Sequence, residues 1–290
     1  MRFFHISDLH FPTEIPIFSL RGKMFPGYLN YILRRKGKYP AKLYQSLMEK
    51  IKSTGYDCLV ISGDITNVTH EKEFAQAKIQ LAPLLDERVF MIPGNHDRYV
   101  KEENSGERLF EKYFGEFSGK PIGLPGLGYL RYKKIKETSV IGWDSNSPRG
   151  LGSATGYVQK EVIEETKKFL KKNRIKDYIL VCHHPVWNPP GERESIYHKM
   201  ENREEVVSSL SANPPITYLH GHVHDNAVKF PSFDFPFHMI NSASSTRLPD
   251  SNHKSGFHFA EISGKKVKIK RFEYSVSDGH FHESRLFSYE

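Results

Sequence analysis

Five short apolar runs in this chain end at once in residues that can ligate, titrate or hydrogen-bond: FFHISDLH, CLVISGD, VFMIPGNHD, ILVCHHP and ITYLHGHVH. Runs of this kind, rich in β-branched and aromatic side chains and bounded by Gly or Pro, read as buried strands. Strands are therefore expected at 3–7, 58–62, 89–92, 140–143, 179–182 and 216–219. Helical patterns fall between them at 40–53, 70–86, 106–117, 159–173 and 202–211, the second with a capping-type start at Thr69 and Glu71 in its first turn. Such alternation argues for an α/β fold. Beyond Asn226, the stretches AVKF, FHMIN, GFHFAEIS and KVKIKRFEYS alternate apolar and polar residues, as antiparallel strands do. Ligands of α/β folds bind at the carboxyl ends of strands, where all five polar clusters fall.

Each cluster alone is weak, since Gly-Asp is usually a turn and Pro follows many strand ends. Their force lies in occurring together, each behind a strand. Asp8/His10 and His222/His224 are spaced by two, so on an extended segment each pair projects to one side. Asp8, His10, Asp64, Asn95, His183, His184, His222 and His224 offer more donors than one ion needs, so two metals sharing a carboxylate is the economical arrangement. Carboxylate, imidazole and amide donors without Cys suit Mn²⁺, Fe, Zn²⁺ or Mg²⁺ rather than a thiolate zinc site. Two such ions clamp a phosphate and ionise a water between them. Asn95 is then an amide-oxygen ligand, while its neighbour His96 is left for the substrate.

No apolar run approaches the roughly 20 residues that span a bilayer. The opening MRFFHIS enters a strand directly, so no cleavable leader is expected. The two cysteines, Cys58 and Cys182, both lie inside strand-like runs, which fits a reducing cytoplasm and speaks against a Cys nucleophile. With neither internal repeats nor a low-complexity linker, one domain over 1–290 is expected. The net charge of +8 points to solubility or to an anionic partner.

The blocks DLH (8–10), GD (63–64), GNHD (94–97), HHP (183–185) and GHVH (221–224) resemble the five motifs of the calcineurin-like metallophosphoesterases, most closely the class III, cyclic-nucleotide-phosphodiesterase-like branch. The resemblance implies that family's four-layer sandwich of two mixed β-sheets flanked by helices, with the antiparallel strands of 226–290 completing it. It implies a first metal on Asp8, His10 and His224, a second on Asn95, His183 and His222, and Asp64 between them. Attack on phosphorus by a hydroxide bridging the metals would need no phosphoenzyme, with His96 assisting. His184 would contact phosphate or support the ligands. Many relatives carry an acidic residue three positions after the bridging Asp, orienting the catalytic histidine; here it is Asn67. An amide can fix the ring but does not stabilise an imidazolium, so His96 is expected to be a weak general acid suited to easily expelled leaving groups. Asp97 is expected to anchor its loop.

An insertion at 11–40 stands outside these motifs. Phe25, Tyr28, Leu29, Ile32 and Leu33 follow helical spacing, with Arg34, Arg35, Lys36 and Lys38 behind them. The favoured expectation is a cap whose stripe packs on the sandwich. The alternative is an interfacial helix at 15–38, docking the protein on the inner face of an anionic membrane. The basic runs RYKKIK, KKFLKKNR and KKVKIKR read as solvated faces rather than a nucleic-acid stripe, although the family includes nucleases. Loops at 144–157, 186–200 and 242–255 would rim the pocket, making Arg149, Arg193 and Arg247 candidates for a second anionic group. The function expected is phosphodiester hydrolysis on a small anionic substrate. Hydrolysis of a lipid-linked phosphodiester or pyrophosphate, and a metal-binding scaffold without catalysis, are the alternatives.

Overall fold

The first strand, β1 (Arg2–Ile6), carries the run FFHI into the middle of a sheet, with Phe3, Phe4 and Ile6 fully buried. The computed structural model describes residues 1–102, 108–123, 130–189, 195–251, 253–264 and 266–289. After β1 come α1 (Met24–Asn30), α2 (Ala41–Ser53), β2 (Cys58–Ile61), α3 (Glu71–Leu81), β3 (Val89–Met91) and α4 (Leu109–Phe114). Then follow β4 (Lys120–Pro121), β5 (Leu130–Ile135), β6 (Thr138–Trp143), α5 (Lys160–Lys172), β7 (Tyr178–Cys182), α6 (Arg203–Ala212) and β8 (Thr217–His220). The chain ends in β9 (Ala227–Lys229), β10 (His238–Asn241), β11 (Gly256–Ser263), β12 (Lys266–Ser275) and β13 (His280–Tyr289).

Two mixed sheets result, ordered β13-β12-β11-β1-β2-β3 and β4-β5-β6-β7-β8-β10-β9. In the second, side chains alternate between two layers as the period of a strand requires. Val140, Ile179, Val181, Leu219 and Ile240 join the core built on the first sheet, together with Leu43, Leu47 and Ile51 of α2 and Phe74, Ala77 and Leu81 of α3. Ile141, Trp143, Leu180, Cys182 and Tyr218 face the other way, onto Val162, Ile163 and Leu170 of α5 and Val206 and Leu210 of α6. Each fully buried Leu, Ile or Phe contributes about 1.5–3 kcal/mol, so the sheets are fixed by burial of runs the sequence displays openly. Cys58 and Cys182 are free and buried, Cys182 on the layer away from His183. Among the described residues, no helix is long and apolar enough to cross a membrane.

Several expectations are corrected. FHMIN does not form a purely antiparallel element: β10 pairs parallel with β8 and antiparallel only with β9. The solvated helix or strand face expected of RYKKIK takes the strand form, in β5, paired antiparallel with β6. Within the antiparallel region expected at 226–290, the last strand, β13, has mostly exposed side chains and is held by main-chain pairing to β12. In α3 the cap is His70, not Thr69, with Glu73 reaching back to the His70 N–H. The stripe at 25–33 does not pack inward: of its five residues only Tyr28 is buried, beside Tyr31, Ile15 and Val68.

Candidate metal centre

The polar clusters meet because the chain keeps pairing past its strand ends. Asp8 and His10 donate their N–H groups to the carbonyls of Gly63 and Asp64, at 3.0 and 2.9 Å. Gly63 and Gly94 admit the close passage of these turns: a Cβ on Gly63 would overlap the Gly94 backbone, and one on Gly94 would strike Asp64. Asp8, His10, Asp64, His222 and His224 all have φ between 42 and 73°. The spacing of two therefore does not act through an extended segment. The two-residue pairs sit in left-handed turns, and His222 and His224 diverge, the first to Asn95 and the second to Asp8.

The ligating atoms of Asp8, His10 and His224 lie within 4.8 Å of one another, as do those of Asp8, Asp64 and His183, and those of His10, Asp64 and His96. His224 Nε2 stands 3.1 Å from Asp8 Oδ1, and His183 Nε2 3.3 Å from Asp64 Oδ2. Asn95 Oδ1 lies 3.0 Å from His183 Nε2 and 2.8 Å from His222 Nδ1. These eight residues are thus gathered into one largely buried cluster.

Main-chain carbonyls orient the histidines. His10 Nδ1 donates to Thr66 O at 2.9 Å, His183 Nδ1 to Ser62 O at 2.8 Å and His96 Nδ1 to Asn67 O at 2.6 Å. His222 Nε2 donates to His198 O at 2.9 Å. The opposite ring nitrogen of each is left with its lone pair turned inward. The loop at 62–70 can point its carbonyls this way because buried carboxylates take its N–H groups. Asp97 accepts from Ile65, Thr66 and Gly94, and Glu73 from Asn67, Val68 and His70.

Those inward lone pairs test whether a cation fits. His10 Nε2 and His224 Nε2 face each other at 3.4 Å beside two buried carboxylates, a convergence of nitrogen and oxygen donors that suits a cation. Burial opposes protonation of His183, but the Asp64 carboxylate outweighs it and pushes the ring up to about 9: a proton settles where the donor set calls for a cation. Burial would raise the Asp64 carboxyl, yet His183 and His96 hold it well below the usual range. The donors fit divalent metal ions, and the Asp64 carboxylate belongs to two of the three clusters.

Other expected residues stand differently. The Asn67 side chain does not orient His96; its Nδ2 donates to Phe11 O, and the main-chain carbonyl of the same residue holds the ring. His184 is buried with both ring nitrogens committed, to Ser145 Oγ at 2.8 Å and Ala154 O at 2.9 Å, and its ring lies against that of His222. Arg149 is paired with Glu201 and Arg247 with Asp250. Arg193 lies outside the described residues.

The residue that sequence reasoning misplaced is Arg35. It follows α1 in a π-helical turn, Tyr31–Arg35, on the same face as the buried Tyr28 and Tyr31. Among the described residues its guanidinium forms no ion pair within 4 Å; it donates to Tyr39 Oη at 3.1 Å, and the Tyr39 ring packs edge-on to His10. Burial disfavours its charge, but Tyr39, Asp64 and Asp8 outweigh that and raise its pKa. Tyr99 was also missed: it stacks parallel on His96 at 5.6 Å, under the Lys23 ammonium at 4.0 Å from its ring centre. Beside it opens a cavity of about 730 Å³ lined by Phe18, Lys23, Thr69, His70, Tyr99 and Arg149, among others.

Several solved structures share this fold. A dimetal phosphatase from Danio rerio aligns over 99% of this chain and 98% of its own, at 14% identity and a TM-score of 0.65. The purple acid phosphatase PPD1 from yellow lupin seeds aligns over 99% of this chain and 53% of its own, at 12% identity and a TM-score of 0.61. No curated protein matches the chain. The family model described as calcineurin-like phosphoesterase matches residues 1–226, which span all five motifs, and the chain belongs to that family.

Proposed function

We propose that this protein is a two-metal phosphodiesterase, with one cation on Asp8, His10 and His224, a second on Asn95, His183 and His222, and Asp64 between them. The observation that carries this reading is the meeting of these seven donors in one buried cluster with their lone pairs turned inward. When bound, such ions supply Lewis-acid stabilisation of phosphoryl charge and an acidified water for attack.

The remaining chemistry belongs to the chain. Burial pushes His96 down to about 4, and its Nδ1–H faces a neutral carbonyl rather than a carboxylate. The ring is therefore neutral near pH 7 and lends little proton to a departing alkoxide, which suits esters of acidic alcohols. Arg35 brings a fixed cation to neutralise phosphoryl oxygens. The cavity beyond Tyr99 gives room for the second ester arm that distinguishes a diester from a monoester. Free, buried thiols support placement in the reducing cytoplasm.

The test is turnover of bis-p-nitrophenyl phosphate against the monoester, after reconstitution with Mn²⁺, Fe or Zn²⁺, beside Asp64→Ala and His96→Ala. Diester turnover that both substitutions cut sharply is expected. Absence of turnover with two metals demonstrably bound would reject the proposal in favour of a non-catalytic scaffold.

A further inference from the structure

We propose that the outer face of residues 17–36 docks this protein on an anionic lipid surface. The proposal goes beyond the hydrolytic reading and does not depend on it. Ile17, Phe18, Phe25, Leu29, Ile32 and Leu33 are all exposed, Phe18 by 93%, Leu33 by 72% and the least, Ile32, by 41%. From Met24 to Arg35 the backbone is helical, first α and then π. Tyr28, Tyr31 and Arg35 line the inward side, while Phe25, Leu29, Ile32 and Leu33 share the outward one. A helix whose apolar residues segregate away from its own protein has an unpartnered face.

Charge identifies the occupant. Residues 15–42 contain seven Lys and Arg and no Asp or Glu. Arg21, Arg34, Lys36 and Lys38 flank the apolar face and are exposed, Lys36 in a surface ion pair with Glu14 and Lys38 in one with Asp250, pairs weak enough for headgroups to compete with. A second copy would set like charges against each other across a two-fold interface. The central patches of protein–protein interfaces are depleted of charge, particularly Lys. Large apolar side chains ringed by cations match a bilayer interface, where the rings and aliphatics enter the acyl boundary and the cations meet anionic headgroups. Phe18 also belongs to the wall of the cavity beside Tyr99, so a docked molecule would hold that cavity at the lipid surface.

The experiment is co-sedimentation of the full, metal-loaded chain with vesicles of phosphatidylcholine alone or with about a third phosphatidylserine. Each cation near such a surface strengthens binding about fivefold. Binding to the anionic vesicles is expected, weakening steeply from 50 to 500 mM salt. The pair Arg34→Glu/Lys36→Glu, and separately Leu29→Ser/Leu33→Ser, should each weaken it at least tenfold. Both pairs should keep the circular dichroism of the parent and its turnover of a soluble ester, which separates loss of docking from loss of fold or catalysis. Equal sedimentation with both vesicle types, no sedimentation, or unaltered binding by both double variants overturns the proposal. So does light scattering that shows a dimer broken by Leu29→Ser/Leu33→Ser, because the face would then be covered by a second copy.

Discussion

Replacing Arg35 with Ala tests whether the insertion takes part in the chemistry. Among the described residues the guanidinium's hydrogen-bond partner is one neutral phenol, Tyr39 Oη, so folding should lose about 1 kcal/mol. A charge-assisted bond from the same guanidinium to a phosphoryl oxygen contributes about 1.5–3 kcal/mol. Its loss should lower kcat/KM about 10- to 150-fold. Arg35→Lys keeps the charge but not the planar fork and should recover part of the activity. The assay is kcat and KM on bis-p-nitrophenyl phosphate at fixed metal, with the inhibition constant of orthophosphate measured alongside. If Arg35 binds the phosphoryl group, inhibition by orthophosphate weakens in parallel with kcat/KM, and the melting temperature falls only a few degrees. A kcat/KM within twofold of the parent, or a large loss of stability with orthophosphate inhibition intact, would refute the reasoning.

Gly221→Ala should empty the centre without unfolding the chain, because a Cβ there overlaps Ser7 Oγ and Asp8 Oδ2 and must displace a candidate ligand; bound metal per chain and circular dichroism measure the two effects, and a full metal complement would count against it. The metal-free protein should lose stability in mild acid. Burial, with His220 nearby, holds His5 down to about 3 against an unfolded value of 6.5, so as pH falls below 6.5 the unfolded chain binds a proton that the native chain refuses. His5 alone should cost roughly 2 kcal/mol at pH 5, read from urea denaturation; a flat profile between pH 7 and 5 would contradict it.

Legibility in the sequence followed the kind of group doing each job. Asp8, Asp64, Asn95 and His222 act through side chains, and their letters stand in the motifs. Thr66, Asn67, Ser62 and His198 act through carbonyls that any residue would supply, so no letter announces them. That is why Asn67 was credited with its amide when its backbone holds His96. Glu73, which accepts from three N–H groups of the same loop, stands in the first turn of α3, where an acid is ordinary and signals nothing. The strand β13 was hidden for a related reason: edge pairing uses main-chain groups and leaves side chains free to be Lys, Arg, Glu or His. The parallel pairing of β10 depends on a crossover, and local alternation carries no information about strand direction.

Backbone conformation hid the most telling property of the centre. Five of its seven candidate ligands sit at positive φ, in a region where a residue with a Cβ costs about 1–2 kcal/mol. A chain relieved of its function would place Gly or Asn at such positions, as ordinary turns do. Here Asp and His are held there by the bonds from Asp8 N to Gly63 O and from His10 N to Asp64 O, and the neighbouring glycines at 63, 94 and 221 concede the space. The motifs therefore couple two requirements: a donor whose backbone is strained and, beside it, a glycine that lets the strained turns touch. Spacing read as an extended strand brought these residues together on paper, whereas the structure brings them together in left-handed turns. A ligand-to-Gly change at Asp8 would relax the turn while deleting the donor, so it should raise the stability of the metal-free chain relative to Asp8→Ala while both variants lose metal equally.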